Sequence, residues 1–172
     1  MLEREHCRHD IKVLNGLIET TLDSVDGYHL AALEGPSRSL RAAFAAKVNE
    51  RQQVVYRLRE RVRQLGGEPA SDGSILASAH RVFLCLRDRV DEDAILAEVD
   101  HGESYLAGKW QAALADDELT ADTRQLINSC YVSIQRGREE WRRAHLEASG
   151  AGSSVGEAFE IAGDAADASR VV

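Results

Sequence analysis

Apolar residues recur every three or four positions along most of this chain, which is the spacing of one face of an α-helix. The first such series follows Asp10, a residue that can cap a helix start, and runs to about Glu34. Gly35 and Pro36 come next, and a glycine past the last turn followed by a proline ends a helix. The apolar positions of this first predicted helix are Ile11, Leu14, Ile18, Leu22, Val25 and Ala32.

A second helical series follows Ser37 and Ser39, either of which can cap a helix start. It ends at residues 66–69, where two glycines and a proline stop the helix. Together the two series predict a pair of long helices joined by a short connection. The apolar positions of the second helix are Leu40, Phe44, Val48, Val55, Leu58, Val62 and Leu65.

Three further helices are predicted beyond Pro69. Ser74 can cap a short one over residues 74–90. Residues 91–93 are three acids in a row, which suit the positive end of the next long helix, and Thr120 can cap the last one. The apolar positions of these two long helices are Ile95, Leu96, Val99, Leu106, Trp110, Ala113 and Leu114, then Leu126, Ile127, Cys130, Ile134, Trp141 and Ala144.

The length of the short helix decides the predicted topology. Seventeen residues make a helix about 25 Å long, which is enough to travel back along most of a bundle. The third long helix then runs parallel to the second. We therefore predict an all-α, ferritin-like, up-down-down-up four-helix bundle with a short crossover helix between the second and third long helices.

Composition sets the predicted domain boundaries. Glycine, alanine, serine and aspartate dominate the C-terminal residues, and such a segment buries too little apolar surface to pack firmly. The first residues are polar and precede the first capping residue. We therefore predict a flexible N-terminus over residues 1–9, the bundle over residues 10–146 and a flexible tail over residues 147–172.

The charge and the cysteine content limit the classes of partner and the cellular location that we expect. The net charge of −8 argues against a broad basic surface for nucleic acid. No apolar run approaches the ~18 residues of a membrane span, and the N-terminus lacks the apolar stretch of a secretory signal. Three cysteines without a CxxC pair argue against a disulfide framework. We expect a cytoplasmic protein whose partner is another protein or a second copy of the chain.

Several short segments, taken in order, resemble one known family. They are residues 14–19 (LNGLIE), 26–28 (DGY), 63–69 (RQLGGEP), 94–98 (AILAE) and 102–103 (GE). Their order and spacing are similar to those of a bacterial family of ferritin-like four-helix bundles of unknown function, distantly related to rubrerythrin- and ferritin-type bundles. The resemblance covers residues 10–145. It implies the fold and no activity, because the role of that family is itself undefined.

Ferritin-like oxidases hold two metal ions with inward-pointing glutamates and Glu-x-x-His motifs on facing helices. Glu98 and His101 match the motif as letters, but they lie about 110° and nearly 180° from the apolar stripe of their helix. Glu50 begins a stretch similar to the second-helix motif of rubrerythrin-type proteins, but Gln53 replaces its histidine. Glu50 also lies about 110° off its stripe. We therefore predict a degenerate metal site.

Two charged residues interrupt the apolar stripes instead. Arg51 falls on the stripe of the second helix and Glu103 on that of the third, near the middle of each. In the parallel arrangement the two residues lie at similar depth. A buried charge without a partner is costly, and a bidentate arginine–carboxylate pair removes that cost. We predict that Arg51 and Glu103 form a buried ion pair at the bundle centre.

Other residues that could take part in chemistry or affect helix packing are interpreted as structural. His29 falls on the predicted core stripe of the first helix, where a hydrogen-bonded core histidine is expected rather than a ligand. Tyr28 is interpreted as a packing residue. Gly102 and Gly137 lie within helices, where glycine costs about 1 kcal/mol relative to alanine, and close helix approach would compensate.

These observations favour a non-catalytic binding or structural module without a cofactor. The alternative is a divergent di-iron or di-manganese protein, an oxidase or a metal-storage protein. Its metal ligands would be Glu103 and Glu50 with Asp23 or Asp26, two acids on a strip of the first helix that flanks the core. Arg51 argues against this alternative because a cation repels metal ions beside it.

Overall fold

A computed structural model describes residues 2–73 and 92–151 of the 172-residue chain. These residues form four α-helices and no strand, which confirms the all-α, four-helix prediction. The short helix predicted over residues 74–90 lies outside the described residues, as does the tail beyond Ala151. The helices are α1 (Leu2–Glu34), α2 (Arg38–Gln64), α3 (Glu92–Leu114) and α4 (Ala121–Ala151).

Helix α1 begins at Leu2, so the prediction that Asp10 caps its start is wrong. Asp10 is fully buried inside the helix, and its carboxylate faces the start of α4. It accepts hydrogen bonds from the Thr120 amide at 3.1 Å and from both the Thr120 and Thr123 hydroxyls, the latter at 2.6 Å. Asp10 therefore satisfies donors at the N-terminus of α4, a role that its position in the sequence does not reveal.

The ends of α2 follow the predicted capping residues. Ser37 is its N-cap, and the Ser37 hydroxyl accepts a hydrogen bond from the Leu40 amide at 3.3 Å. At the other end Gly66 adopts φ 78°, a left-handed conformation that glycine enters without steric cost. The Gly67 amide then reaches back to the Val62 carbonyl at 3.0 Å, which completes a Schellman motif.

The four helices pack as two hairpins, α1 against α2 and α3 against α4. The hairpins meet where α1 lies beside α3 and where α2 lies beside α4. Their core divides into two apolar clusters, named here for their tryptophans. The Trp110 cluster draws on residues 14–18, 54–62, 106–113 and 119–134. The Trp141 cluster draws on residues 25–31, 40–48, 95–99 and 141–144.

One residue on each of three helices marks the boundary between the two clusters. Arg51 lies between the two sets on α2, Glu103 on α3 and Gly137 on α4. An apolar core interrupted at one level by charged residues provides a dry place for a polar site. None of the helices within the described ranges is long and apolar enough to cross a membrane.

Candidate functional site: a buried ion-pair network

Arg51 and Glu103 lie in direct contact at the boundary between the two core clusters. The Arg51 Nη2 donates to Glu103 Oε2 at 2.8 Å, and the two side chains are 0% and 2% exposed. The contact uses one hydrogen bond rather than the two of the expected bidentate pair. Burial is the largest single effect and lowers the pKa of Arg51, but the charge of Glu103 and the other favourable interactions of the guanidinium together outweigh it and raise that pKa. Arg51 is therefore a permanent cation inside the fold.

Tyr28 binds the second carboxylate oxygen of Glu103. Its hydroxyl donates to Glu103 Oε1 at 2.8 Å, while its ring packs against Phe44 and Trp141 with centroid distances of 6.0 Å. Burial, and then the charge of Glu103, raise the pKa of Tyr28 well above its ordinary value. The phenol therefore stays protonated and acts as a donor, in addition to the packing role predicted from the sequence.

Glu50 is a second carboxylate on the same cation. Its Oε1 accepts from Arg51 Nη1 at 3.2 Å and from the Ser133 hydroxyl, and its Oε2 accepts from Lys47 Nζ at 2.8 Å. Burial raises the pKa of Glu50, but hydrogen bonds from Lys47 and Ser133 and the nearby positive charges outweigh it, so the pKa is lowered. Glu50 lies off the apolar stripe of α2, as predicted, yet half-buried between α2 and α4, within reach of the site.

Lys47 extends the network to the last helix. It is buried, with its side chain 7% exposed, and its Nζ donates to Glu140 Oε2 at 2.5 Å as well as to Glu50. The site thus places two cations among three carboxylates. We call this set the central polar network; its members are Tyr28, Lys47, Glu50, Arg51, Glu103, Ser133 and Glu140.

Gly137 provides the space for this network. A Cβ atom at residue 137 would lie 2.5 Å from Arg51 Nη2 and 3.3 Å from Glu103 Oε2. The glycine predicted to permit close approach does so, but the approaching group is a guanidinium rather than a helix backbone. Gly102 differs, because a Cβ atom there would meet nothing within 4 Å. Close packing therefore does not explain Gly102.

A small groove between α1 and α3 leads to the network from outside. Its lining includes Tyr28, Glu103 and Asp23, together with the glycines Gly27 and Gly102. Its volume of about 50 Å³ is enough for a few water molecules and too small for an organic substrate. The groove gives Glu103 a route to solvent without exposing it.

The alternative metal ligands do not converge on one point. Arg51 lies between Glu50 and Glu103 and donates to both, whereas Asp26 is exposed and Asp23 lines the groove. Among the residues that the structure describes, no group of three or more His, Cys, Asp or Glu could hold a metal ion. Two cations among the carboxylates would repel a metal ion. The donor set does not fit a di-metal centre of carboxylates and histidines.

The residues of the candidate Glu-x-x-His motifs, apart from Glu50, make no contact with the network among the described residues. Gln53 and His101 are exposed, and Glu98 is half-buried at the groove. His29 is exposed as well, so the prediction that it faces the core is wrong. Tyr28 points inward, and the next residue of a helix is turned by about 100°, which carries His29 to the solvent side.

Sequence reasoning missed three members of the network, and the helical spacing contained a signal for each. Lys47 lies four residues before Arg51 and so shares its helix face. Ser133 and Glu140 lie four before and three after Gly137, on the face that meets Arg51. A search for polar residues at i±3 and i±4 from Arg51 would have found Lys47, and the same search around the core glycine Gly137 would have found Ser133 and Glu140.

The fold and the site together define an all-α four-helix protein with a charged, internally paired centre. The sequence profile of a family described as a domain of unknown function, DUF2383, matches residues 9–116, which is more than half of the chain. The protein belongs to this family. The matched region contains Tyr28, Lys47, Glu50, Arg51 and Glu103, and ends before α4. No curated protein matches the chain.

Proposed function

We propose that this protein is a non-catalytic, ferritin-like helical module for binding or structural support. In it, an arginine–lysine–carboxylate network takes the place of a di-metal centre. The main observation that supports this proposal is that buried Arg51 donates hydrogen bonds to both Glu50 and Glu103. A pair of metal ions would use such carboxylates as ligands, and here a fixed cation already neutralises them.

The distribution of core residues supports the ferritin-like, up-down-down-up order of the helices. The first turns of α2 and α3 contribute to the Trp141 cluster, together with the last turns of α1 and α4. Helices α2 and α3 then run parallel, and α1 and α4 run the opposite way. That order needs a long crossover between α2 and α3, which residues 65–91 are long enough to supply.

The alternative remains a divergent di-iron or di-manganese protein. The two hypotheses differ in a property that is simple to measure, the metal content of the purified full-length chain. The protein would be produced in cells supplemented with iron and manganese, purified without chelators and analysed for its elements. We expect far less than one metal ion per chain, with no absorbance above the protein band.

A variant compared with the parent under the same growth conditions shows whether the two cations keep metal ions out. Replacing both cations, Lys47→Gln with Arg51→Gln, leaves three carboxylates without a positive partner. If this variant folds, it should take up more divalent metal than the parent, because the repulsion has been removed. About two ions per parent chain would instead overturn the proposal and support the oxidase or storage alternative.

A further inference from the structure

Two tyrosines are buried in this protein, and their hydroxyl groups lie in opposite chemical surroundings. Tyr28 and Tyr131 are 6% and 7% exposed, whereas the other two tyrosines of the chain, Tyr56 and Tyr105, lie on the surface. The Tyr28 hydroxyl donates to a carboxylate oxygen of Glu103 at 2.8 Å. The Tyr131 hydroxyl has no hydrogen-bond partner among the described residues. Of the two buried phenols, only that of Tyr28 therefore has a proton acceptor beside it.

This difference decides which buried tyrosine can lose an electron. A phenol that gives up one electron becomes a strong acid, and a charge left in an apolar interior is costly, so its proton needs an acceptor in contact. Burial, and then the charge of Glu103, hold the pKa of Tyr28 well above its ordinary value. Tyr28 is therefore oxidised from its protonated form, and the electron and the proton have to leave together.

The groove between α1 and α3 gives small molecules access to this pair. Tyr28 and Glu103 both line it, and its volume of about 50 Å³ admits molecules of only a few atoms. Inside the fold, the rings of Phe44 and Trp141 pack against the Tyr28 ring with centroid distances of 6.0 Å. They separate it from the tyrosines of any second molecule, so a radical formed on Tyr28 is protected from coupling to another ring.

We propose that Tyr28 and Glu103 form a trapping site for small, neutral one-electron oxidants such as nitrogen dioxide. The oxidant takes one electron from the phenol and leaves as its anion, which is nitrite in this example. The O–H bond of Tyr28 breaks, and the proton moves across the 2.8 Å contact to Glu103 Oε1. The products inside the protein are a neutral phenoxyl radical and a neutral carboxylic acid, so atoms, electrons and charge balance.

Arg51 keeps a carboxylate partner throughout this step. When Glu103 becomes neutral, the guanidinium still donates to Glu50 Oε1 through its Nη1, at 3.2 Å. The buried cation is therefore not left alone, which would be costly. The step consumes one oxidant for each chain and involves no turnover. It goes beyond the proposed module role and does not rest on it.

Pulse radiolysis of the full-length chain with azide radicals, which are small neutral one-electron oxidants, tests the proposal. The reference protein carries Tyr56→Phe and Tyr105→Phe, which remove the two exposed tyrosines. Time-resolved absorbance and electron paramagnetic resonance should detect a phenoxyl radical in it. Adding Tyr28→Phe should abolish this radical, whereas the matched control Tyr131→Phe, at the buried phenol without an acceptor, should leave it unchanged.

The role of Glu103 is tested by the rate at which the phenoxyl radical forms. Glu103→Gln should slow its formation by about tenfold or more, because a positioned base has been replaced by an amide. The same step in the reference protein should be slower in deuterium oxide than in water. Circular dichroism identifies any variant that misfolds, and the isotope effect needs no substitution at Glu103.

Three results would overturn the proposal. One is a phenoxyl radical that persists after Tyr28→Phe or is lost equally after Tyr131→Phe. Another is an oxidation that stays on a tryptophan and produces no phenoxyl radical in the reference protein. The third is a rate of radical formation that is the same in water and in deuterium oxide, which would show that no proton moves with the electron.

Discussion

At the scale of single residues, the central feature is a charge that the fold surrounds completely. Arg51 is fully buried, yet its Nε has no hydrogen-bond partner among the described residues. The pair with Glu103 is therefore incompletely satisfied, and a pair of this kind adds little net stability over an apolar core. Removing one partner, by contrast, lowers the stability strongly, because the other partner is left as an isolated charge in an apolar surrounding.

This asymmetry predicts the behaviour of variants at the pair. Glu103→Ala should lower the free energy of unfolding by about 3–5 kcal/mol, since Arg51 and the Tyr28 hydroxyl lose their shared partner. The double variant Arg51→Met with Glu103→Leu should recover most of that loss. Urea unfolding measures both, with Glu139→Ala on the exposed surface as a control expected to change by less than about 0.5 kcal/mol. A Glu103→Ala variant as stable as the parent would show that the pair is unimportant.

Two glycines offer a matched comparison at the same site. Gly137→Ala gains helix propensity but places its Cβ 2.5 Å from Arg51 Nη2, so the guanidinium must move away from Glu103. Gly102→Ala gains the same propensity in open space. We expect Gly102→Ala to stabilise the protein by about 0.5–1 kcal/mol and Gly137→Ala to destabilise it by at least as much. Equal stabilisation by both, in thermal or urea unfolding, would contradict the close contact at Gly137.

At the scale of elements, one helix completes the end of another. The carboxylate of Asp10 in α1 accepts the amide and hydroxyl donors at the start of α4, although 110 residues separate Asp10 from Thr120. Ser37 serves α2 in the ordinary way, from the adjacent position. The two caps therefore differ in what they hold together. Ser37 stabilises a single helix, whereas Asp10 fixes the position of α1 against α4.

The difference between these caps is measurable. Asp10→Ala should cost about 2–3 kcal/mol, because buried donors lose a charged acceptor, whereas Ser37→Ala should cost about 1 kcal/mol. Asp10→Asn retains one carbonyl acceptor and should fall between Asp10→Ala and the parent. Urea unfolding of the three variants gives the order. Equal costs for Asp10→Ala and Ser37→Ala would mean that the contact between α1 and α4 adds nothing beyond ordinary capping.

At the scale of the whole molecule, the fold has an apolar core that charged residues interrupt at one level. The central polar network separates the Trp110 cluster from the Trp141 cluster and joins all four helices through side chains. Helix α2 supplies Lys47, Glu50 and Arg51, which form most of the contacts of this network.

The sequence by itself determined the four long helices, the caps of α2 and the contact between two buried charges. Each follows from spacing within one helix, since apolar positions identify the inner face and any charge on that face needs a partner. Arg51 and Glu103 could be paired in advance because each interrupts its stripe at a similar depth. The ferritin-like order of the helices stays a proposal.

The tertiary structure alone decided which groups complete the site. Glu50 lies off its stripe, yet it accepts hydrogen bonds from Arg51 and from the Ser133 hydroxyl of α4. His29, predicted to face the core, is exposed, and Asp10, predicted to cap α1, is buried within that helix. Helical periodicity places a side chain around its own axis and contains no information on the neighbouring helix. The partners of a buried charge depend on that neighbour, and for this reason only the packed molecule revealed them.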